Sequence, residues 1–176
     1  MAKLRKMLGA ADSPYIVSLM RLIETQSKTT LANWSIDYAE NHFVKIYYKA
    51  YPGDARPQMA LDAAREWLAG KIKLPEAKRI ILNECHAAAR AAEAQPAAQA
   101  AARACGQAAA SIHTATHALG LVFYGAAAIA YDHAGIEQPA EVYDKIAAEE
   151  CAKMEAALRA VAIENEPNPA KIKWNC

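Results

Sequence analysis

The stretch AAARACGQAAASIHTATHALGLVFYGAAAIAY, residues 100–131, decides how this chain folds. Between positions 104 and 131 it runs for 28 residues without a Lys, Arg, Asp or Glu. That length would cross a bilayer, but Gln107, Ser111, His113, Thr114, Thr116 and His117 interrupt it. The purely apolar part, 118–131, has 14 residues, against the ~20 that a membrane-spanning helix needs. The stretch therefore reads as a buried central helix, and no membrane partner is expected. Its alanine supports that reading. The chain holds 43 alanines, 21 of them between residues 87 and 130. Alanine has the highest intrinsic helix propensity, and its small side chain lets helix axes approach toward the ~8 Å end of their usual range. Gly106 costs a helix interior roughly 1 kcal/mol relative to alanine, which points to a neighbour filling the space above it.

Outward from this segment, proline and glycine divide the chain. Ser13-Pro14 opens a first helix to about residue 27, with Ile16, Leu19, Met20 and Ile23 on one stripe. A second, capped by Thr29 or Thr30, runs to Pro52-Gly53-Asp54 with Ile36, Ala39, Phe43, Tyr47 and Ala50 inward. A third spans Pro57 to Gly70, and a fourth starts at Pro75 with Ala77, Ile81, Cys85, Ala88 and Ala92 buried. The fifth runs from Pro96 towards Leu119 and on to about Ala134. A last helix runs from Pro139 to about Ile163 with Val142, Ile146, Glu149 or Glu150, Met154, Ala157, Leu158 and Val161 on its stripe.

With valine, threonine and phenylalanine scarce (5, 5 and 2 residues), strands have little to draw on. The expectation is an all-α, single-domain antiparallel bundle of six to seven helices, with helices four and five as a tight alanine-rich hairpin. The domain covers residues 1–176, and residues 1–12 and 167–176 are expected to be peripheral or poorly ordered.

A net charge of +1 and a pI near 7.7 argue against a nucleic-acid-binding surface. The basic N-terminus has no apolar core of a secretory signal. Cys85, Cys105, Cys151 and Cys176 show no CxxC spacing and read as reduced thiols of a cytoplasmic protein, the last of them exposed.

The polar residues that stand out are His113 and His117, placed at i,i+4 on one helix face, and His86 with Arg90 at the same spacing. Two histidines at this spacing can hold a metal, with Glu84, His86 or Cys105 as nominal further donors. Equally, they can sit half-buried and hydrogen-bonded between helices. No HExxH, GxSxG or phosphate-binding glycine loop occurs. Neither a catalytic residue, nor a cofactor, nor a metal is assigned, and the expectation is a binding protein rather than an enzyme. Tyr47, Tyr48 and Tyr51 mark either a contact surface or an amphipathic boundary. The segment 135–166, with eight acidic and three basic residues, reads as a solvated face.

Four segments carry a family resemblance: residues 31–57 (LANWSIDYAENHFVKIYYKAYPGDARP), 59–79 (MALDAAREWLAGKIKLPEAKR), 85–92 (CHAAARAA) and 100–131. In their order and spacing they resemble the immunity proteins of bacterial polymorphic-toxin systems, the immunity protein five-like family. Gln107 stands where that pattern suggests histidine, and Leu119-Gly120-Leu121 replaces a more alanine-rich run. The resemblance implies an all-helical cytosolic protein that neutralises a cognate protein toxin by contact. It carries over no catalytic residue. Two alternatives stay open: a small-ligand or metal-binding protein or enzyme with a pocket around His86, Arg90, His113 and His117, and a structural or regulatory homo-oligomer.

Overall fold

The computed structural model describes residues 4–174, and among these no strand occurs. Helix α1 (Pro14–Ile23) leads into α2 (Lys28–His42) and α3 (Val44–Ala50), then α4 (Arg56–Leu68). Next, α5 (Leu74–Ile80) passes through a π-helical turn (Ile81–Cys85) into α6 (His86–Ala91). The chain ends with α7 (Pro96–Ala110), α8 (His117–Ala134) and α9 (Ala140–Val161). Since α2 runs into α3 and α5 into α6, the described residues form seven helical rods, an all-α bundle as expected.

The hub is α7, which packs along α8 and also meets α2, α3, α4 and α6. Its alanines make this possible: Ala98, Ala100, Ala101, Ala102, Ala104, Ala108 and Ala109 are all buried. The tight alanine-rich hairpin exists, but its partners correct the sequence reading. It is formed by α7 and α8, which the sequence joined into one fifth helix. The helix stops at residues 111–116, where Ser111, His113, Thr114 and Thr116 cluster. Serine and threonine side chains compete for backbone groups, and the Ser111 hydroxyl donates to the Ala108 carbonyl at 2.6 Å.

Three other features depart from expectation. Phe43 interrupts the second helix, where it is wholly buried and faces the notch at Gly125. The cap of α2 is Ser27, whose side chain accepts from the Thr30 N–H. On α9 the buried line is Tyr143, Ala147, Glu150, Cys151, Met154 and Leu158, while Val142 and Val161 are exposed. Tyr47 is core, and its hydroxyl donates to Asp54 at 2.6 Å. Tyr48 and Tyr51 are half-buried.

Both ends of the described chain are anchored at particular residues. Leu8 is 1% exposed and its N–H donates to the Phe123 carbonyl. The C-terminal tail straps the α1–α2 junction. Gln26 donates to the Ile163 carbonyl and accepts from its N–H, and the Ala170 N–H donates to the Gln26 carbonyl at 2.8 Å. Glu166 accepts from the Ser27 N–H at 2.7 Å and from the Thr30 hydroxyl at 2.6 Å, where a carboxylate also complements the positive end of α2. Trp174 donates its indole N–H to Glu24. Cys176 lies outside the described residues.

Candidate functional site

The π-helical turn inserts an extra residue between α5 and α6, a distortion found frequently at functional sites. Here it brings Cys85 and His86 against α7. The Cys85 thiol donates to the Ala102 carbonyl at 3.1 Å. A β-carbon on Gly106 would lie 3.3 Å from His86 Cε1 and 3.5 Å from Cys85 Sγ. Gly106 is therefore the seat of the His86 ring, as its mid-helix position suggested.

Across the same face, the α7–α8 turn presents His113, and His117 begins α8. Their ring centroids are 5.5 Å apart. His117 Nδ1 pairs with Gln107 Oε1 at 2.8 Å. Gly120 leaves the room that the Gln107 side chain occupies.

These groups line a hollow of about 380 Å³ between α5–α6 and the α7–α8 turn. Its wall brings together His86, His113 and His117. Arg90 does not line it: the side chain is exposed one turn beyond His86 and acts on that ring only through its charge. Lys78, Arg79, Asn83 and Gln107 were not named as site residues from the sequence, yet they share the wall. A basic pair in the last turn of α5 reads as ordinary complement to the helix dipole. Gln107 did leave a signal, as a departure from the family pattern.

Burial lowers the pKa of all three rings, and the charges that add to this are cationic. Lys78 and Lys28 act on His113 together with His117; His86 acts on His117, and Arg90 on His86. His113 Nδ1 is buried without a hydrogen-bond partner. Among the described residues, no group of three His, Cys, Asp or Glu side chains is placed to hold a metal ion, so the nominal donors Glu84 and Cys105 do not complete a set. Cys85, Cys105 and Cys151 are buried free thiols.

Acidification is expected to destabilise the fold through these rings. Each is held below its ordinary value of 6.5, as burial also holds His42. The unfolded chain then binds protons more readily. The stability the rings contribute is complete above about pH 6.5 and is lost as pH falls from there towards their folded values. Urea unfolding should show a lower midpoint at pH 5.5 than at pH 7.5, and the variant His113→Gln with His117→Gln should narrow the gap. An equal midpoint at the two pH values would contradict the assignment.

A second hollow of about 400 Å³ lies between α2 and α9, lined by Trp34, Tyr38, His42 and Val161 among others. None of the sequence-predicted polar residues reaches it. Among the described residues, no helix is long and apolar enough to cross a membrane.

Fold and hollow together describe an all-α bundle carrying a basic, histidine-lined concavity on one side. The chain belongs to the family described as "Imm-5 like putative immunity protein", whose model matches residues 21–157. The match takes in α2 to α8, the π-helical turn and every residue of the hollow. No curated protein and no solved structure matches the chain.

Proposed function

We propose that this chain neutralises a cognate protein toxin by direct contact, covering the toxin's working surface with a preformed helical face. Membership of the immunity family over residues 21–157 carries this reading. The architecture supports it. α7 ties four neighbouring helices together around α8, and the tail strap fixes the α1–α2 junction, so the exposed faces need no folding step before binding. A standard interface takes about 800 Å² from each partner, under a tenth of the 9031 Å² this molecule exposes. A rigid patch on one side of the bundle is therefore sufficient. The free buried thiols suit a reducing compartment, and the reading places the protein in the cytoplasm.

The test is affinity capture from the native host, followed by expression of each stoichiometric partner with and without this chain. One partner should poison cells alone and be silenced by co-expression. Toxicity that co-expression leaves unchanged would overturn the reading.

A further inference from the structure

The hollow between α5–α6 and the α7–α8 turn concentrates positive charge without a carboxylate on its wall. Some of the fold's cations face carboxylates. Arg5 holds Asp144, Arg56 holds Asp54, Arg65 holds Asp37 and Glu40, and Arg159 holds Glu155. Lys78 and Arg79 hold none: neither has an ion pair or hydrogen bond among the described residues. Lys28 adds a third cation beside the hollow, 3.5 Å from the His113 carbonyl. The three histidine rings therefore sit among cations and each other.

The rest of the wall is of a different kind. Ile81 is buried, and Leu82, one of the fold's few exposed large apolar side chains at 58% exposure, stands at the hollow unpartnered. A volume of about 380 Å³ lies within the range of small-molecule sites, roughly 300–1,000 Å³. Unpaired cations beside an apolar ledge match a molecule with a charged head and an apolar body.

We propose that this hollow binds a small organic anion. Its phosphate or carboxylate head is held by Lys78, Arg79 and the imidazoles, and its apolar body lies on Ile81 and Leu82. The site does not depend on toxin neutralisation. Binding tightens as the solution is acidified, because an anion raises the proton affinity of the rings beside it. The groups facing those rings are Lys78 and Arg79 of α5, Arg90 of α6, Lys28 of α2 and Gln107 of α7. All are cationic or neutral: the cations hold the rings low in the free protein, and a bound anion offsets their charge.

The experiment is a titration of the full chain with phenyl phosphate, followed through the imidazole ring signals in proton–carbon correlation spectra. Phenol serves as the neutral comparison. The signals of His86, His113 and His117 should move saturably, while those of His42 and His133, which line a different surface, stay in place. Phenol should leave all five unmoved. The double variant Lys78→Gln, Arg79→Gln should bind phenyl phosphate at least about tenfold more weakly, the usual scale for losing a charge-assisted hydrogen bond. Binding at pH 6 should be tighter than at pH 8. Lys78 and Arg79 are exposed, so this variant keeps its fold, which its thermal midpoint and the His42 and His133 signals check. Absence of a saturable shift, equal affinity for phenol, or unchanged affinity in the double variant would overturn the proposal. Shifts produced by a glutamate-rich peptide but not by phenyl phosphate would assign the hollow to an acidic protein segment, and would overturn it too.

Discussion

Replacing Gly125 with alanine is expected to destabilise the fold by about 2–3 kcal/mol, the upper range for forcing a methyl group into a packed core. At roughly 2–4 °C per kcal/mol for a chain of this size, the thermal midpoint should fall by about 5–10 °C. The reason is the shape of one contact. A β-carbon on Gly125 would lie 2.8 Å from Phe43 Cε2 and 2.9 Å from Met154 Cε, and closer still to Phe43 Cζ. Met154 ends in a flexible chain and can turn away. Phe43 cannot: it is wholly buried, and its ring packs beside the stacked rings of Tyr38 and His42. The α2–α3 kink places that ring, so the added methyl pushes on the backbone of two helices.

Gly120→Ala is the matched control. There the β-carbon would meet the far end of Gln107, which can swing out at the cost of its bond to His117. The gain in helix propensity, about 1 kcal/mol, offsets much of that loss, and the net change should stay within about 1 kcal/mol. Combining Gly125→Ala with Phe43→Leu should cost less than the two changes summed, because the truncation removes the collision. Chemical denaturation compares these four variants, Phe43→Leu alone included, with the parent protein. A loss below about 1 kcal/mol for Gly125→Ala would show that Phe43 does not set the α3–α8 approach.

Local chemistry made much of this architecture legible. Pro14, Pro57, Pro75 and Pro96 each stand in the first turn of a helix, where proline's missing N–H has no intrahelical partner to lose. The stripe Ala77, Ile81, Cys85, Ala88 and Ala92 is buried throughout. What stayed hidden depends on contacts from far along the chain. Nothing in Asn41-His42-Phe43-Val44 signals a break, since the cause lies 82 residues away at Gly125. On α9 the reading favoured Val142 because valine is apolar. The fold instead buries Tyr143, whose hydroxyl donates to the Gly135 carbonyl at 2.9 Å and accepts the Gln138 N–H at 3.0 Å.

The histidine site shows a subtler limit. His113 and His117 were paired as i,i+4 neighbours on one helix, and their rings do meet. The helix that justified the pairing ends at Ala110, and the two are joined across a turn. His86 reaches them through the π-helical turn and Gly106, neither of which follows from helical period. Lys78 and Arg79 were invisible for a different reason. A basic pair at a helix C-terminus is ordinary in sequence, and it acquires chemical meaning only when no carboxylate appears on the wall it helps to form.

Glu150→Ala is the other substitution expected to have a large effect, about 2–4 kcal/mol of stability. Glu150 is 3% exposed in the middle of α9. One oxygen accepts from the Tyr38 hydroxyl at 2.8 Å, and the other meets Lys153 Nζ at 3.2 Å. Alanine there strips the buried tyrosine of its acceptor and opens a void between α2 and α9. Burial and the neighbouring carboxylate raise the Tyr38 pKa far above its ordinary value, so the hydroxyl keeps its proton and acts only as the donor to Glu150. Glu150→Gln retains an acceptor oxygen and should recover more than half of the loss. Tyr38→Phe leaves that carboxylate oxygen without its donor and should cost about 1–3 kcal/mol.

The pair with Lys153 carries much less. Its ammonium end is exposed, with 65% of the side chain in solvent, and Lys153→Met should change stability by under about 1 kcal/mol. Urea unfolding of the single variants and of Tyr38→Phe with Glu150→Gln gives the coupling directly. If Glu150→Ala costs less than Lys153→Met, the buried hydrogen bond is not what joins the two helices. If the order holds, the α2–α9 contact is fastened by one neutral donor and one buried carboxylate. Of the two glutamates that the helical stripe allowed inward, Glu149 and Glu150, the fold then sets Glu150 at the centre of the packing.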